Sequence, residues 1–169
     1  GLSHYHYDHT GQLSNFSGST LLIGKDDWDL VQSSASPPGV SPNGISRWRT
    51  PFSPWLSGTS ALVSISRADH DVFGDGQVRI LALPGHTPGH QALLVKLERR
   101  GYVLLSGDVA HFHENLADNG VPTWNTNRAD SLASLDRFRK IAAKLEAEVI
   151  IQHDPRDVNL LPEFPSFAE

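Results

Sequence analysis

Between positions 4 and 9 the chain reads His4-Tyr5-His6-Tyr7-Asp8-His9, and this run constrains the fold more than any other part of the sequence. Three imidazoles and a carboxylate this close together exceed what packing requires. In an extended segment, side chains at positions 4, 6 and 8 point to one side of the backbone. A tight turn after them brings His9 back toward the same volume. Nitrogen and oxygen donors gathered in this way are enough to begin two adjacent metal sites. The bland alternative is a solvated, His-rich loop, and it leaves the more distant ligand residues without an explanation.

Those distant residues stand at strand ends. Gln77–Leu83, Gln91–Leu97, Gly101–Ser106 and Val149–Gln152 are short apolar runs that read as strands. The run Gly101–Ser106 is almost continuously apolar, which predicts burial on both faces. His86 lies in Pro84-Gly85-His86-Thr87-Pro88-Gly89-His90, after the first of these runs. Asp108 follows Ser106-Gly107, and His153 follows Gln152 directly. A polar residue just past a buried strand, held by Gly or Pro, is a rigid and accessible place for a functional group.

Upstream, Thr20–Ile23 and Ala61–Ile65 read as strands and Lys25–Gln32 as a short helix. From 33 to 58 the chain turns to Pro, Ser and Gly with Trp48, Phe52 and Trp55 interspersed. A long irregular insertion of this kind predicts a lid or pocket wall, with Trp48 or Trp55 lining it; the other reading is that the rings anchor the loop. Ala129–Glu146 carries Leu132, Leu135, Phe138, Ile141, Ala142 and Leu145 at helical spacing, with Asp130 or Ser131 as the cap. The tail after Asp154 is rich in proline and irregular.

Charge and length set the remaining bounds. The 169 residues fit one domain, 1–169, and a net charge of −5 argues against nucleic-acid and anionic-membrane partners. No apolar run approaches the ~20 residues of a membrane span, and no signal-peptide pattern is visible, so the expected location is cytoplasmic. Without cysteine there is neither a disulfide nor a thiolate ligand. The chain has no Met and begins at Gly1, three residues before the motif. The expectation is an internal or trimmed piece that lacks its true N-terminus.

The pattern His4-x-His6-x-Asp8-His9, then His86, Asp108 and His153, resembles the dinuclear metal signature of the metallo-β-lactamase superfamily. The resemblance runs from Leu2 to about Pro162. Within the superfamily the chain is similar to the N-acyl-homoserine-lactonase-like branch. The spacings of 22 residues from His86 to Asp108 and 45 from Asp108 to His153 fit that branch, as do Asn115…Val121-Pro122…Asn127-Arg128 and Gln152-His153-Asp154-Pro155. The implied fold is an α/β, αββα sandwich whose first-half strands are missing here, which would leave a sheet edge and part of the core uncovered.

On this resemblance, His4, His6 and His86 would hold one metal, and Asp8, His9 and His153 a second. Asp108 would bridge the two divalent ions, most often zinc in the family. The implied chemistry is hydrolysis of a lactone or related ester, as in quorum-quenching lactonases, with Asp8 also relaying a proton to the leaving group. His90 would support the site from behind by hydrogen bonds or packing. The branch carries a Tyr three residues after the bridging Asp; here that position is His111, which could donate a hydrogen bond to the substrate in its place. Two alternatives stay open. One is another superfamily hydrolase, such as a thioesterase of the glyoxalase II type. The other is a fragment or binding module that keeps the ligands without catalysis. The partner expected is a small lactone or ester.

Overall fold

The computed structural model describes residues 1–33, 49–58, 63–163 and 165–169. The opening motif enters a short helical turn, α1 (Tyr7–Thr10), through His6, whose backbone is extended. Asp8 therefore sits in a helical turn and not on an extended segment with His4 and His6. Next come β1 (Leu21–Gly24) and, with no intervening loop, α2 (Lys25–Ser33). Pro51 and Pro54 stand in the first turns of a 3-10 turn (Thr50–Phe52) and of α3 (Ser53–Leu56), where a missing N–H costs nothing. β2 (Val63–Ser66) then pairs in parallel with β1, Leu21 opposite Val63.

This first layer has its own core. Leu21 and Ile23 of β1, Trp28 and Val31 of α2, and Phe52 and Trp55 pack around Leu2 and Tyr5. The tryptophan expected to line a lid is thus a core residue: Trp55 is buried, and its indole N–H donates to the Ser19 carbonyl. Burying a large apolar ring outweighs leaving it at a pocket mouth. Trp48, with the rest of 34–48, lies outside the described residues.

The second layer is a five-stranded sheet in the order β3-β4-β5-β6-β7. Its strands are β3 (His70–Asp71), β4 (Val78–Ala82), β5 (Gln91–Leu97), β6 (Gly101–Leu105) and β7 (Glu148–Ile150). Pairing is antiparallel as far as β6, and β7 runs parallel to β6. It follows that β4, β6 and β7 point the same way. Their C-terminal ends, and the loops that carry His86, Asp108 and His153, share one edge of the sheet. Val103 and Leu104 are both buried, the two-sided burial expected of this strand.

A short helix absent from the sequence expectations, α4 (His113–Asp118), precedes the long α5 (Arg128–Leu145). The cap of α5 is Asn127, whose side chain accepts from the N–H groups of Ala129 and Asp130, so the helix starts a little earlier than Asp130 or Ser131 would place it. Phe138 and Leu135 press the helix onto the sheet against Leu81, Leu94, Leu104 and Ile151. Segment 1–4 joins the two layers: Leu2 N–H donates to Leu22 O at 3.0 Å, and Ser3 O accepts from Gln91 N–H at 2.9 Å. Beside it opens an apolar cleft of about 490 Å³ lined by Leu22, Val72, Phe73, Val78, Ile80 and Leu105, reaching His9 and Gln152. Among the described residues no helix is long and apolar enough to cross a membrane.

Candidate metal centre

Asp108 is the pivot of the site. It leaves the end of β6 through Gly107, whose φ of +54° is left-handed and whose place would put a Cβ 2.6 Å from the His90 ring. Only glycine suits both demands. One Asp108 oxygen, Oδ2, lies 3.2 Å from His86 Nε2 and 3.7 Å from His4 Nε2. The other, Oδ1, lies 3.1 Å from His9 Nε2 and 3.2 Å from His153 Nε2. A single buried carboxylate therefore faces two separate sets of imidazoles.

Each set is tight. His6 Nδ1 is 2.9 Å from His4 Nε2 and 3.0 Å from His86 Nε2. On the other side His9 Nε2 and His153 Nε2 are 3.2 Å apart, and Asp8 Oδ2 stands 3.5 Å and 3.6 Å from them. The first set, His4, His6 and His86, is mostly buried; the second, Asp8, His9 and His153, is open toward solvent. The structure brings together all seven residues singled out in the sequence as metal ligands.

The surrounding hydrogen bonds turn lone pairs inward. His86 Nδ1–H donates to Asn125 Oδ1 at 2.9 Å, and the Asn125 amide donates in turn to Ser131 Oγ, so His86 Nε2 is free to ligate. Ser3 Oγ sits between His4 Nδ1 and His9 Nδ1, at 3.1 Å and 3.2 Å. His90 acts from behind as expected: its Nδ1–H donates to Leu83 O at 3.0 Å, and its Nε2 accepts the Asp108 backbone N–H at 2.8 Å.

Electrostatics match this arrangement. Burial holds the imidazoles of His4, His6 and His90 below the ordinary range, His6 at about 4 and His90 at about 3. They are neutral at pH 7, the form that ligates a cation. Burial opposes ionisation of Asp108, yet the imidazoles of His111, His86, His9 and His4 facing it outweigh burial and hold the carboxyl well below the usual range. Burial likewise opposes charge on His9, but Asp108 and Asp8 outweigh it and raise the imidazole. Asp108 Oδ1 is buried without a hydrogen-bond partner among the described residues. An acceptor left facing two imidazole nitrogens in this way fits a bound cation. Borderline nitrogen and hard oxygen donors suit a pair of divalent ions such as zinc.

His111 also turns into the centre. Its Nε2 is 3.2 Å from Asp108 Oδ2, its ring stacks on His153 at 5.3 Å, and it makes a T-shaped contact with Trp124 at 6.1 Å. His113 points elsewhere and bonds Asp157 at 2.8 Å. Four contributors escaped the sequence reading: Ser3, Asn125, Asp154 and Asp27. Asp154, buried just after His153, accepts from the backbone of His113 and from the Arg156 side chain. Asp27 in α2 is wholly buried and accepts from Thr87 Oγ at 2.8 Å and Gly89 N–H at 2.6 Å; burial pushes its carboxyl up to about 7. Asn125 and Asp27 carry no mark in the spacing, since His86, Thr87 and Gly89 are distant in sequence, while Ser3 and Asp154 adjoin ligands but are of residue types common in any turn.

Comparison with known proteins agrees with this geometry. No family model matches the chain. The N-acyl homoserine lactonase AttM of Rhizobium radiobacter is 31% identical over 157 residues, covering 90% of this chain. A solved quorum-quenching N-acyl homoserine lactone lactonase superposes with a TM-score of 0.77 at 25% identity over 98% of this chain and 62% of its own. The chain has the metallo-β-lactamase fold and is a homologue of the N-acyl homoserine lactonases. Two more distant structures share the metallo-β-lactamase fold alone. They are AidC, a dizinc quorum-quenching lactonase, with a TM-score of 0.66 at 20% identity over 90% of this chain and 56% of its own, and AbOPH, a hydrolase of the beta lactamase superfamily, with 0.69 at 16% over 90% and 55%. The chain spans 56% of the length of the AttM relative.

Proposed function

We propose that the chain is the metal-bearing portion of a hydrolase that opens a lactone ring, an N-acyl homoserine lactone or a related cyclic ester. The observation that carries the reading is the division of Asp108, with one oxygen facing His4 and His86 and the other facing His9 and His153. In this reading His4, His6 and His86 would hold one zinc ion, Asp8, His9 and His153 would hold the other, and Asp108 would serve both. Zinc is favoured by the donor chemistry and by the dizinc lactonase of the same fold. A divalent pair supplies Lewis acidity, which acidifies water and polarises a carbonyl.

The chain's own residues supply placement and proton traffic. Asp8, with its side chain 41% exposed, is positioned to take a proton from water and hand it to the departing alkoxide. His111 aims Nε2 at the same centre, where an N–H can bond the substrate carbonyl as that oxygen gains charge. Trp124, 66% exposed beside His111, offers an apolar face for the rest of the substrate. A cytoplasmic location belongs to the same proposal and is checked by cell fractionation.

The test is metal content followed by turnover. Chain purified away from chelators is expected to carry about two metal ions and to release one proton for each lactone opened. N-hexanoyl homoserine lactone and a glutathione thioester serve as rival substrates. Preference for the thioester would move the assignment to the glyoxalase II type. Two metals with no turnover of either would favour the binding-module alternative, and no metal would overturn the dinuclear reading.

A further inference from the structure

We infer that Asp27 is a positioning residue for one of the two metal pockets: its carboxylate ties the segment carrying His4 and His6 to the loop carrying His86, and its loss weakens that pocket alone. The inference rests on the dinuclear reading above.

Three donors converge on this carboxylate, and their places in the sequence carry the argument. Thr87 Oγ–H donates to Oδ2 at 2.8 Å, Gly89 N–H donates to Oδ1 at 2.6 Å, and the Tyr5 backbone N–H is the third. Tyr5 stands between His4 and His6. Thr87 adjoins His86, and Gly89 adjoins His90. Tyr5 is flanked on both sides by ligands of the buried pocket and Thr87 adjoins its third ligand, whereas Asp8 and His9 lie beyond His6 in the turn of α1 and His153 follows β7. Without this carboxyl group, two loops far apart in sequence would present inward-pointing N–H and O–H groups to each other with nothing between to accept them. The side chain is fully buried, so water cannot replace it.

Packing shows that the joint is tight. A Cβ on Gly89 would fall 2.5 Å from the Asp27 backbone nitrogen, and a Cβ on Gly24 only 1.9 Å from the Gly89 carbonyl oxygen. The start of α2 is seated directly on the His86 loop. An Asn in place of Asp27 would keep the shape but could offer an oxygen to only one side, turning its NH2 toward a donor on the other.

The experiment is a zinc competition titration against a chromophoric chelator, using the full chain and four variants: Asp27→Asn, Thr87→Val, His86→Ala and His153→Ala. His86→Ala and His153→Ala identify which of the two binding steps belongs to each pocket. Asp27→Asn is expected to weaken the step lost in His86→Ala by roughly 10–100-fold and to leave the step lost in His153→Ala unchanged. Thr87→Val, which removes a single donor, is expected to shift the same step in the same direction by less. Far-UV circular dichroism of the metal-free proteins checks the fold, and if Asp27→Asn does not fold, Thr87→Val decides. Equal weakening of both steps, no change in either, or weakening of the His153 step would overturn the inference while leaving the dinuclear reading intact. Fewer than two steps in the parent chain would overturn both, and that result is visible before any Asp27 variant is made.

Discussion

Replacing His90 with Phe separates hydrogen bonding from packing at the root of the metal centre. The ring is 1% exposed and makes two bonds, one to the Leu83 carbonyl and one from the Asp108 N–H. Phe fills much the same volume but offers neither. Two buried backbone groups then lose their partners, at about 1–3 kcal/mol each, which gives about 2–6 kcal/mol in all. For a domain of this size that corresponds to a fall in Tm of about 4–24 °C. The Asp108 loop also loses the contact that holds its backbone, so zinc affinity should fall by roughly tenfold or more at both steps, because Asp108 serves both. Denaturant titration of the metal-free protein reads the first effect, and chelator competition reads the second. A Phe variant within about 1 kcal/mol of the parent, with unchanged zinc affinity, would refute the reasoning.

Asn125→Ala should cost roughly 10–100-fold in zinc affinity at the His4/His6/His86 step, because His86 Nδ1–H loses its 2.9 Å acceptor; the same competition titration checks it. The pH dependence of the metal-free protein follows from four groups, three of them buried and His6 partly so. His6 at about 4, His90 at about 3 and the lowered His4 stay neutral in the fold where unfolded imidazoles near 6.5 take up protons. Their contribution is complete above pH 6.5 and is lost as pH falls from there toward 4. Asp27, raised to about 7 from 3.8, acts in the opposite sense: its contribution is complete below 3.8 and is lost as pH rises through 7. His9, raised, is protonated in both states near pH 5. Three imidazoles against one carboxyl leave about two protons taken up on unfolding, so stability should drop by up to about 2.7 kcal/mol between pH 6 and pH 5. Denaturant midpoints in a chelating buffer that are equal or higher at pH 5 would contradict this.

The candidate metal ligands, the principal strands and the long helix were all legible in the residues alone. Density was the reason. The run from His4 to His9 has no packing rationale, and His86, Asp108 and His153 each follow an apolar run closed by a turn. The α5 stripe from Leu132 to Leu145 was legible from its period alone. Local patterns of this kind depend on neighbours a few residues apart, and so can be read without a fold. Other features depended on groups brought together from far along the chain. Trp55 looked like a lid residue among prolines, yet it joins a core with Tyr5 and Trp28. Asp27 is one of two acids in the first turn of α2, with nothing local to set it apart, yet it accepts bonds from Thr87 and Gly89. Asn125 had no mark beyond its surroundings until His86 was placed beside it. Which oxygen of Asp108 faces which imidazoles emerges from the folded arrangement. That division comes from the common direction of β4, β6 and β7, a consequence of strand order, and strand order is set by how whole apolar faces bury against one another and not by any local run of residues.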